Sequence, residues 1–328
     1  MTPQQAADFL RSHDNYLILT HVRPDGDTVG CAAGLCLALR QAGKTAHVLP
    51  TPRTTPLFSP YLEGLLAPES FAPDTVVSVD IAARGLFPDN AQVYLDKVDL
   101  AIDHHPSQEF FAKETCLDAK RAACGELMYD IVKQFCQITP EMGTALYVAI
   151  STDCGCFQYG NTTSDTHRVA AQLIDCGIPL AQLNKRHFRT KTMKRLQLEG
   201  LIAQSMELHD NGETALAAVS LDMLAQVGAD ERDLEDIANF VGQVEGVYNA
   251  ATLRELSPGK WKISLRTDAQ RLNASQVCAL LGGGGHAAAA GGMTQGTMAQ
   301  AKQAVWMPSV LPKKSMPNSS LRRRVSRQ

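Results

Sequence analysis

The hydrophobic pattern of the first half of the chain predicts short buried strands alternating with helices. The apolar, β-rich runs are 16–20, 45–49, 75–79 and 99–102. The segments with helical spacing are 3–12, 27–39, 122–136, 140–150 and a helix capped by Ser164 that stops at Gly177. Continuous apolar runs of four to eight residues are typical of strands covered on both faces. Alternation of such strands with helices predicts an α/β fold with a mostly parallel sheet.

The pattern beyond residue 185 predicts a second, smaller α/β domain. Its helices are expected at 190–208, 230–241, 274–281 and 297–305, and its strands at 214–221, 248–256 and 261–266. Ser257-Pro258-Gly259-Lys260 between the last two strands indicates a hairpin turn. We therefore divide the chain into a first domain (1–185), a connector helix (186–212), a second domain (213–305) and a tail (306–328).

Charge is unevenly distributed along the 328 residues. Lysine and arginine number 31 against 34 aspartate and glutamate residues, for a net charge of −3. The tail is rich in Pro, Ser and Arg, which predicts disorder, and it carries six of the basic residues and no acid. The rest of the chain is therefore near −9, a charge that disfavours binding of long duplex DNA.

The composition also bears on location. No apolar run approaches the roughly 18 residues of a membrane helix, and residues 1–14 lack the features of a signal peptide. Nine cysteines, an odd number, favour reduced thiols over a disulfide framework. We expect a cytoplasmic protein without a membrane partner.

Two clusters and two single acids follow the predicted elements. They are His21 with Asp25 and Asp27, Asp103-His104-His105, Asp80 and Asp153. In parallel sheets, ligands bind beyond the carboxyl ends of the strands, and His21, Asp80 and Asp103 each follow a predicted strand. Hard divalent cations prefer carboxylate and imidazole ligands, and six such groups could hold two ions about 3.5–4 Å apart. The alternatives are a polar turn with Asp27 capping the next helix, a solvated loop for Asp103-His104-His105, and a helix cap or turn residue for Asp80 and Asp153.

These motifs resemble a known family. His21-x-x-Pro24-Asp25-Gly26-Asp27, Asp80, Asp103-His104-His105 and Asp153 resemble the motifs of the DHH phosphoesterase superfamily, and Gly282–His286 resembles the glycine-rich motif of its DHHA1 domain. In length and layout the chain is most similar to the bacterial nanoRNase/pAp phosphatase branch. The resemblance implies a DHH catalytic domain, then a DHHA1 substrate-binding domain, with the active site in the cleft between them.

The resemblance also implies residue roles. One Mn²⁺ would be held by His21, Asp25 and Asp80, and a second by Asp27, Asp80, His104 and Asp153. Mg²⁺ or Co²⁺ could replace Mn²⁺. Asp103 would orient the site, and His105 would contact the scissile phosphate or protonate the leaving oxygen.

The substrate-binding residues expected in the second domain include a glycine run. The amides of Gly283, Gly284 and Gly285, followed by His286, would cradle a phosphate, although a flexible loop is the commoner meaning of such a run. Arg266 matches an arginine that the family places near the terminal phosphate. Arg189 and Arg84 are further candidates, and the alternative for each arginine is a surface ion pair.

The expected activity is metal-dependent hydrolysis of short oligoribonucleotides to mononucleotides and of 3′-phosphoadenosine 5′-phosphate (pAp) to AMP, by two-metal activation of water. Other candidates are a linear or cyclic dinucleotide phosphodiesterase and a nucleotide-binding sensor without activity. A pyrophosphatase or a RecJ-type exonuclease fits less well, because the glycine motif argues against the first and the acidic body against long DNA. The resemblance further suggests a homodimer.

Overall fold

The structure, a computed structural model, describes residues 1–234 and 236–306. Its chain divides into two units, one formed by Met1–Thr190 and one that begins at Lys191. The tail predicted for 306–328 lies, beyond Trp306, outside the described residues. None of the described helices combines the length and apolar character needed to cross a lipid bilayer.

The first unit contains the predicted strands and helices. Its strands are β1 (Tyr16–Leu19), β2 (Ala46–Val48), β3 (Thr75–Val79), β4 (Leu100–Asp103) and β5 (Glu114–Leu117). Its helices are α1 (Pro3–Ser12), α2 (Gly26–Gln41), α3 (Cys124–Val132), α4 (Pro140–Asp153), α5 (Ser164–Asp175) and α6 (Leu180–Asn184). The predicted parallel α/β fold is thus confirmed.

All five strands of this unit are parallel, in the order β2-β1-β3-β4-β5. Side chains of β1 alternate between two apolar cores, with Ile18 on one face and Leu17 and Leu19 on the other. Burial on both faces explains why these strands appear in the sequence as continuous apolar runs. The strand order reverses between β1 and β3, and such a switch point opens a crevice at the carboxyl ends of the strands.

Two details of the first unit differ from expectation. Strand β5 was not predicted, because its four residues lack an apolar run and only Cys116 among them is buried. Helix α5 is capped by Thr163, not Ser164, since Thr163 and Thr166 exchange hydrogen bonds in a capping box. Both differences concern short polar segments, where local pattern carries little information.

The second unit is a mixed sheet with helices on both faces. Its strands are β6 (Glu207–His209), β7 (Thr214–Val219), β8 (Asn249–Ser257), β9 (Lys260–Thr267), β10 (Gly284–Gly285) and β11 (Ala289–Gln295). Its helices are α7 (Met193–Ser205), α8 (Leu221–Val227), α9 (Ile237–Val241), α10 (Ala274–Leu280) and α11 (Met298–Trp306). The sheet order is β10-β11-β9-β8-β7-β6, and only β7 and β8 are parallel. The β8–β9 hairpin confirms the predicted turn.

The helix predicted for 230–241 is wrong as a single element. A short 3₁₀ turn (Glu231–Leu234) and helix α9 take its place, and Asp236 before α9 has a left-handed backbone with a φ of 57°. That conformation cannot continue a right-handed helix. The helix predicted for 190–208 is shorter than expected, and Leu198 and Ile202 of α7 pack into the core of the second unit.

Helices α2 and α4 pack closely because small residues face each other. A Cβ atom added to Gly30 would lie 2.3 Å from the carbonyl oxygen of Ala145 and 2.8 Å from Cβ of Ala149. Replacement of Gly30 by alanine should therefore lower the free energy of unfolding by about 1–3 kcal/mol, the usual effect of overpacking.

The matched control is Gly200→Ala in α7, where an added Cβ would meet nothing within 4 Å. Because alanine favours an exposed helix interior over glycine, this variant should be more stable by roughly 0.5–1 kcal/mol. Thermal and urea unfolding would measure both. Equal effects of the two substitutions would contradict the packing argument.

Candidate metal centre

Three strand ends of the first unit bring the candidate ligands together. His21 lies two residues beyond β1, Asp80 follows β3 and Asp103 ends β4. These strands are neighbours in the sheet, with β1 on one side of the switch point and β3 and β4 on the other, so their carboxyl ends meet at one edge. Asp80 has a left-handed backbone with a φ of 58°, and strained backbone of this kind tends to occur at functional sites.

Asp80 is the common member of the cluster. Its Oδ1 lies 3.5 Å from Nε2 of His104 and 3.4 Å from Nδ1 of His105, and its Oδ2 lies 3.9 Å from Nε2 of His21. The Asp80 side chain is buried, and Oδ1 has no hydrogen-bond partner among the described residues. A buried carboxylate oxygen without a partner is costly unless a cation compensates it.

His104 faces three carboxylates through one ring nitrogen. Its Nε2 lies 3.7 Å from Oδ2 of Asp27 and 3.6 Å from Oδ2 of Asp153, in addition to Asp80. Its Nδ1 lies 3.1 Å from the carbonyl oxygen of Arg121 and so donates to it. Nε2 therefore carries the lone pair in the neutral ring, which is the usual arrangement of a metal-binding histidine.

Asp27 is held at the start of helix α3. Its Oδ2 accepts from the amide of Cys124 at 2.7 Å and its Oδ1 from the amide of Gly125 at 2.9 Å. The thiol of Cys31, one helical turn along α2, donates to Oδ1 at 3.4 Å. Helix N-termini favour negative charge, so the carboxylate is held rigidly with Oδ2 also directed to His104.

Asp25 and His21 form the more exposed side of the cluster. Nε2 of His21 lies 3.5 Å from Oδ1 of Asp25. Asp25 is also the N-cap of α2, since Oδ1 accepts from the amides of Asp27 and Thr28. The cap expected as the alternative function of this motif is thus present, but on Asp25 and not on Asp27.

Asp103 is fully buried beneath the two histidines. Its Oδ1 accepts from the amides of His104 and His105, at 2.7 and 3.2 Å, and from Nδ1 of His105 at 2.8 Å. Its Oδ2 accepts from Nε2 of Gln108 at 2.7 Å. With these four bonds Asp103 holds the histidine pair in place.

The electrostatics of the cluster favour a cation. Burial and then the charges of neighbouring carboxylates raise the pKa of Asp27 and of Asp80 well above the usual range, and they raise the pKa of Asp153 to about 7. Burial and the neighbouring ring of His105 lower the pKa of His104. Burial disfavours the charged ring of His105, but its hydrogen bond with Asp103 and the nearby carboxylates outweigh burial and raise its pKa.

The donor set fits divalent metal ions. Three overlapping groups of side chains could each hold an ion, and they are His21–Asp25–Asp80, Asp27–His104–Asp153 and Asp80–His104–His105. The oxygen and nitrogen donors suit hard and intermediate divalent ions rather than thiophilic ones. The unpartnered Oδ1 of Asp80 is the atom that most needs such an ion.

Arg266 in the second unit lies in β9. Its Nε donates to Oδ1 of Asn239 at 2.7 Å and its Nη1 to the carbonyl oxygen of Leu265 at 3.1 Å. Burial raises the pKa of Asp236, and the charge of Arg266 opposes that rise, so a carboxylate lies within electrostatic reach of Arg266. Arg266 pairs in register with Ala289 of β11.

The glycine run does not present four free amides. The amides of Gly282 and Gly283 donate to carbonyl oxygens of α10, and the amide of His286 donates to Ala289. Gly284 and Gly285 form β10 and pair with β11. A Cβ on Gly283 would lie 2.0 Å from the carbonyl oxygen of Gly291, so glycine is required there by close approach of the backbone. The expectation of an open cradle thus fails for these hydrogen-bonded amides.

The two weaker arginine candidates lie in exposed positions of the first unit. Arg84 donates to Oδ1 of Asp96 at 2.8 Å, which is the surface ion pair of its alternative interpretation. Arg189 ends a π-helical turn, Lys185–Arg189. Neither is among the side chains that surround Asp80.

Sequence reasoning missed the groups that orient the ligands. They are the amides of Cys124 and Gly125, the thiol of Cys31, the carbonyl of Arg121 and the side chain of Gln108. Three of these five are backbone groups, so residue type gives no signal for them. Gln108 belongs to none of the motifs identified in the sequence.

Two family models match this chain. The model described as DHH family, N-terminal domain, matches residues 15–150, and the DHHA1 domain matches residues 214–306. The chain is 32% identical to the bifunctional oligoribonuclease and PAP phosphatase NrnA of Thermus thermophilus, over 85% of this chain and 84% of that protein. It is 24% identical to the Bacillus subtilis protein of the same name, over 72% and 76% of the two chains.

A solved structure supports the same fold. The exopolyphosphatase-related protein from Bacteroides fragilis superposes with a TM-score of 0.82 at 23% identity, covering 92% of this chain and 96% of that one. The first matched model contains most of the carboxylate and histidine cluster, and the second contains the glycine-rich strand pair. From these matches and the identity to the relatives, the chain belongs to the DHH phosphoesterase family, with a DHH domain followed by a DHHA1 domain.

Proposed function

We propose that this protein hydrolyses short oligoribonucleotides to mononucleotides and pAp to AMP. The observation that carries the proposal is the convergence of three potential ligand groups, two of which share Asp80, at one edge of the parallel sheet. The names of the relatives add the substrate class, because they are oligoribonucleases and PAP phosphatases.

Two divalent ions, which we propose to be Mn²⁺, would be held by the cluster. His21, Asp25 and Asp80 would hold one ion, and Asp27, Asp80, His104 and Asp153 the other. When bound, such ions supply Lewis acidity toward phosphoryl oxygens and lower the pKa of water to near 7. The other residues of the site orient the side chains that act on the substrate and hold or transfer protons.

His105 is the proposed proton carrier. Asp103 accepts a hydrogen bond from Nδ1 of its ring, and the raised pKa favours a ring protonated at both nitrogens. Water bonds to phosphorus through its oxygen and loses one proton to solvent, the bond from phosphorus to the ribose oxygen breaks, and Nε2 of His105 gives its proton to that oxygen, which leaves as a hydroxyl group. Asp103 stabilises the charged ring before the transfer.

The second domain, residues 213–305, is proposed to bind the rest of the substrate. Arg266 is its best candidate for a phosphate, since its hydrogen bonds go to the uncharged oxygens of Asn239 and Leu265. His286 and Gly285 are exposed at the neighbouring strand pair and could add contacts. A short substrate suits the acidic body, which we propose excludes long duplex DNA.

We also propose a cytoplasmic homodimer. The nine free cysteines support a reducing compartment. The dimer rests on the family resemblance, and light scattering after size-exclusion chromatography would measure it.

A substrate panel tests the activity. With Mn²⁺, the protein should release mononucleotides from the dinucleotide pApA and phosphate from pAp, and removal of metal by EDTA should stop both reactions. Hydrolysis of pyrophosphate without hydrolysis of pApA would contradict the proposal. Cleavage confined to cyclic-di-AMP would favour the dinucleotide phosphodiesterase, and binding without turnover would favour the sensor.

A further inference from the structure

Gln108 is buried beside the metal cluster and uses both ends of its amide. Its Nε2 donates to the carbonyl oxygen of Ile81 at 2.8 Å and to Oδ2 of Asp103 at 2.7 Å. Its Oε1 accepts from the amide of Phe110 at 3.1 Å. Since donors and acceptors match only in this orientation, the amide plane is set without ambiguity. Only 5% of the residue is exposed.

These bonds join the two strand ends that carry the site. Ile81 directly follows Asp80 after β3, and Asp103 ends β4. The backbone ladder between β3 and β4 ends at Val79 and Ile102, although the amide of Asp80 still donates to Ile102. Beyond that point Gln108 is a side-chain bridge between the strand ends.

The two oxygens of the Asp103 carboxylate accept hydrogen bonds from different partners. Oδ1 accepts from His104 and His105, whereas Oδ2 accepts from Nε2 of Gln108. A carboxylate held at only one oxygen can rotate about its Cβ–Cγ bond, because that torsion is broad. Gln108 therefore fixes the plane in which Oδ1 meets Nδ1 of His105.

We propose that Gln108 is a positioning residue for the reaction. It holds the Asp103 carboxylate so that Oδ1 accepts a hydrogen bond from the Nδ1–H of His105, which leaves Nε2 as the ring nitrogen available to the substrate. The proposal rests on the role assigned to His105 in the proposed function. Partners of this kind around a metal site change activity by roughly 10–100-fold when removed.

The first test is Gln108→Leu, which keeps a side chain of similar size but removes all three bonds. We expect kcat on pApA to fall by about 10–100-fold, with KM and the Mn²⁺ dissociation constant changed by less than about threefold. Gln92→Leu is the matched control, because Gln92 donates to the backbone carbonyl of Phe87 in the same unit but does not contact the cluster. That control should have wild-type kcat.

A second variant tests the same proposal in case Gln108→Leu fails to fold. Gln108→Glu keeps the size and the acceptor for Phe110 but turns a carboxylate oxygen toward Oδ2 of Asp103. It should lose at least as much kcat as the leucine variant while circular dichroism shows that the fold is kept, although the two facing carboxylates should lower its melting temperature. Wild-type kcat in a folded Gln108→Glu protein would overturn the proposal.

A double-mutant cycle separates positioning from general structural support. If Gln108 acts through His105, adding Gln108→Leu to His105→Ala should lower kcat by less than about threefold further, since contacting residues of one pathway are not additive. A full multiplicative loss, with weaker Mn²⁺ binding by calorimetry, would instead identify a structural role and overturn the proposal.

One further measurement, the ¹⁵N spectrum of His105, does not depend on catalytic turnover. In metal-free protein at a pH where the ring is neutral, the ¹⁵N spectrum of His105, identified by its absence in His105→Ala, should show the proton on Nδ1. Gln108→Leu should mix the two tautomers. An unchanged His105 spectrum would overturn the positioning role, whereas inactivity of the wild-type protein toward pApA and pAp would overturn only the proposed function.

Discussion

Replacement of Asp80 by asparagine is expected to lower kcat on pApA by more than about a hundredfold and to abolish the stabilisation that Mn²⁺ gives. Loss of a residue that merely orients a metal ligand already costs roughly 10–100-fold, and Asp80 faces His21, His104 and His105 at once. Turnover and Mn²⁺ affinity by calorimetry would measure the two losses.

The same substitution should have the opposite effect on metal-free protein. Burial and then the charge of Asp27 raise the pKa of Asp80, so the ionised carboxylate is unfavourable in the folded state without a cation. The amide introduced by Asp80→Asn carries no charge, and the melting temperature of the metal-free variant should rise by a few degrees at pH 8.

Asp89→Asn serves as the control for Asp80→Asn, because Asp89 is an exposed carboxylate of the same unit. It should change neither turnover nor the response to Mn²⁺. If Asp80→Asn destabilised the metal-free protein and left Mn²⁺ binding intact, Asp80 would be a structural carboxylate and the assigned metal centre would be wrong.

Removal of divalent ions is expected to make stability fall as the pH rises. The pKa of Asp153 is raised to about 7, and those of Asp27 and Asp80 are raised as well. Between the unfolded value near 4 and the raised folded values, the folded state binds more protons than the unfolded state. The stabilisation that these raised pKa values give the folded state is therefore complete below about pH 4, and it is lost as the pH rises through about 7.

For the metal-free protein this loss amounts to a few kcal/mol, since one pKa unit corresponds to about 1.4 kcal/mol and Asp153 is partly exposed. The melting temperature in EDTA should then be on the order of 5–10 °C lower at pH 8 than at pH 5. Mn²⁺ binds the deprotonated ligands, so its stabilising effect should be larger at pH 8.

Asp153→Asn tests the assignment of this pH effect. The variant lacks the group with the pKa near 7, and its melting temperature in EDTA should change less between pH 6 and pH 8 than that of the wild-type protein. An identical pH profile for the two proteins would mean that other groups cause the effect.

The sequence predicted the first unit better than the second. Buried parallel strands such as β3 need apolar residues on both faces, so Thr75–Val79 is evident from the sequence alone. The single helix predicted for 230–241 failed because nothing in local composition shows the left-handed backbone of Asp236. Strand β11 was missed because Ala289–Gln295 lacks the β-branched and aromatic residues typical of strands, apart from one threonine.

The metal centre was predictable as a set of residues but not as an arrangement. Carboxylates and imidazoles at strand ends are visible in the sequence because hard cations require those residue types. The distances around Asp80 make the proposed role of each of these residues testable. The glycine run is different, because its residue type suggested phosphate binding. In the structure, glycine is required at position 283 because the backbone of Gly291 approaches it closely.

The sequence by itself determined the α/β fold class, the family motifs and which residue types could bind metal ions. Only the tertiary structure decided that β1 lies between β2 and β3, and that Asp27 rests on the amides of α3. The same is true of Gln108, which joins Asp103 to the residue after Asp80. The physical reason is that local composition sets burial and chemistry, whereas strand order and long-range hydrogen bonds depend on groups that are distant in the chain.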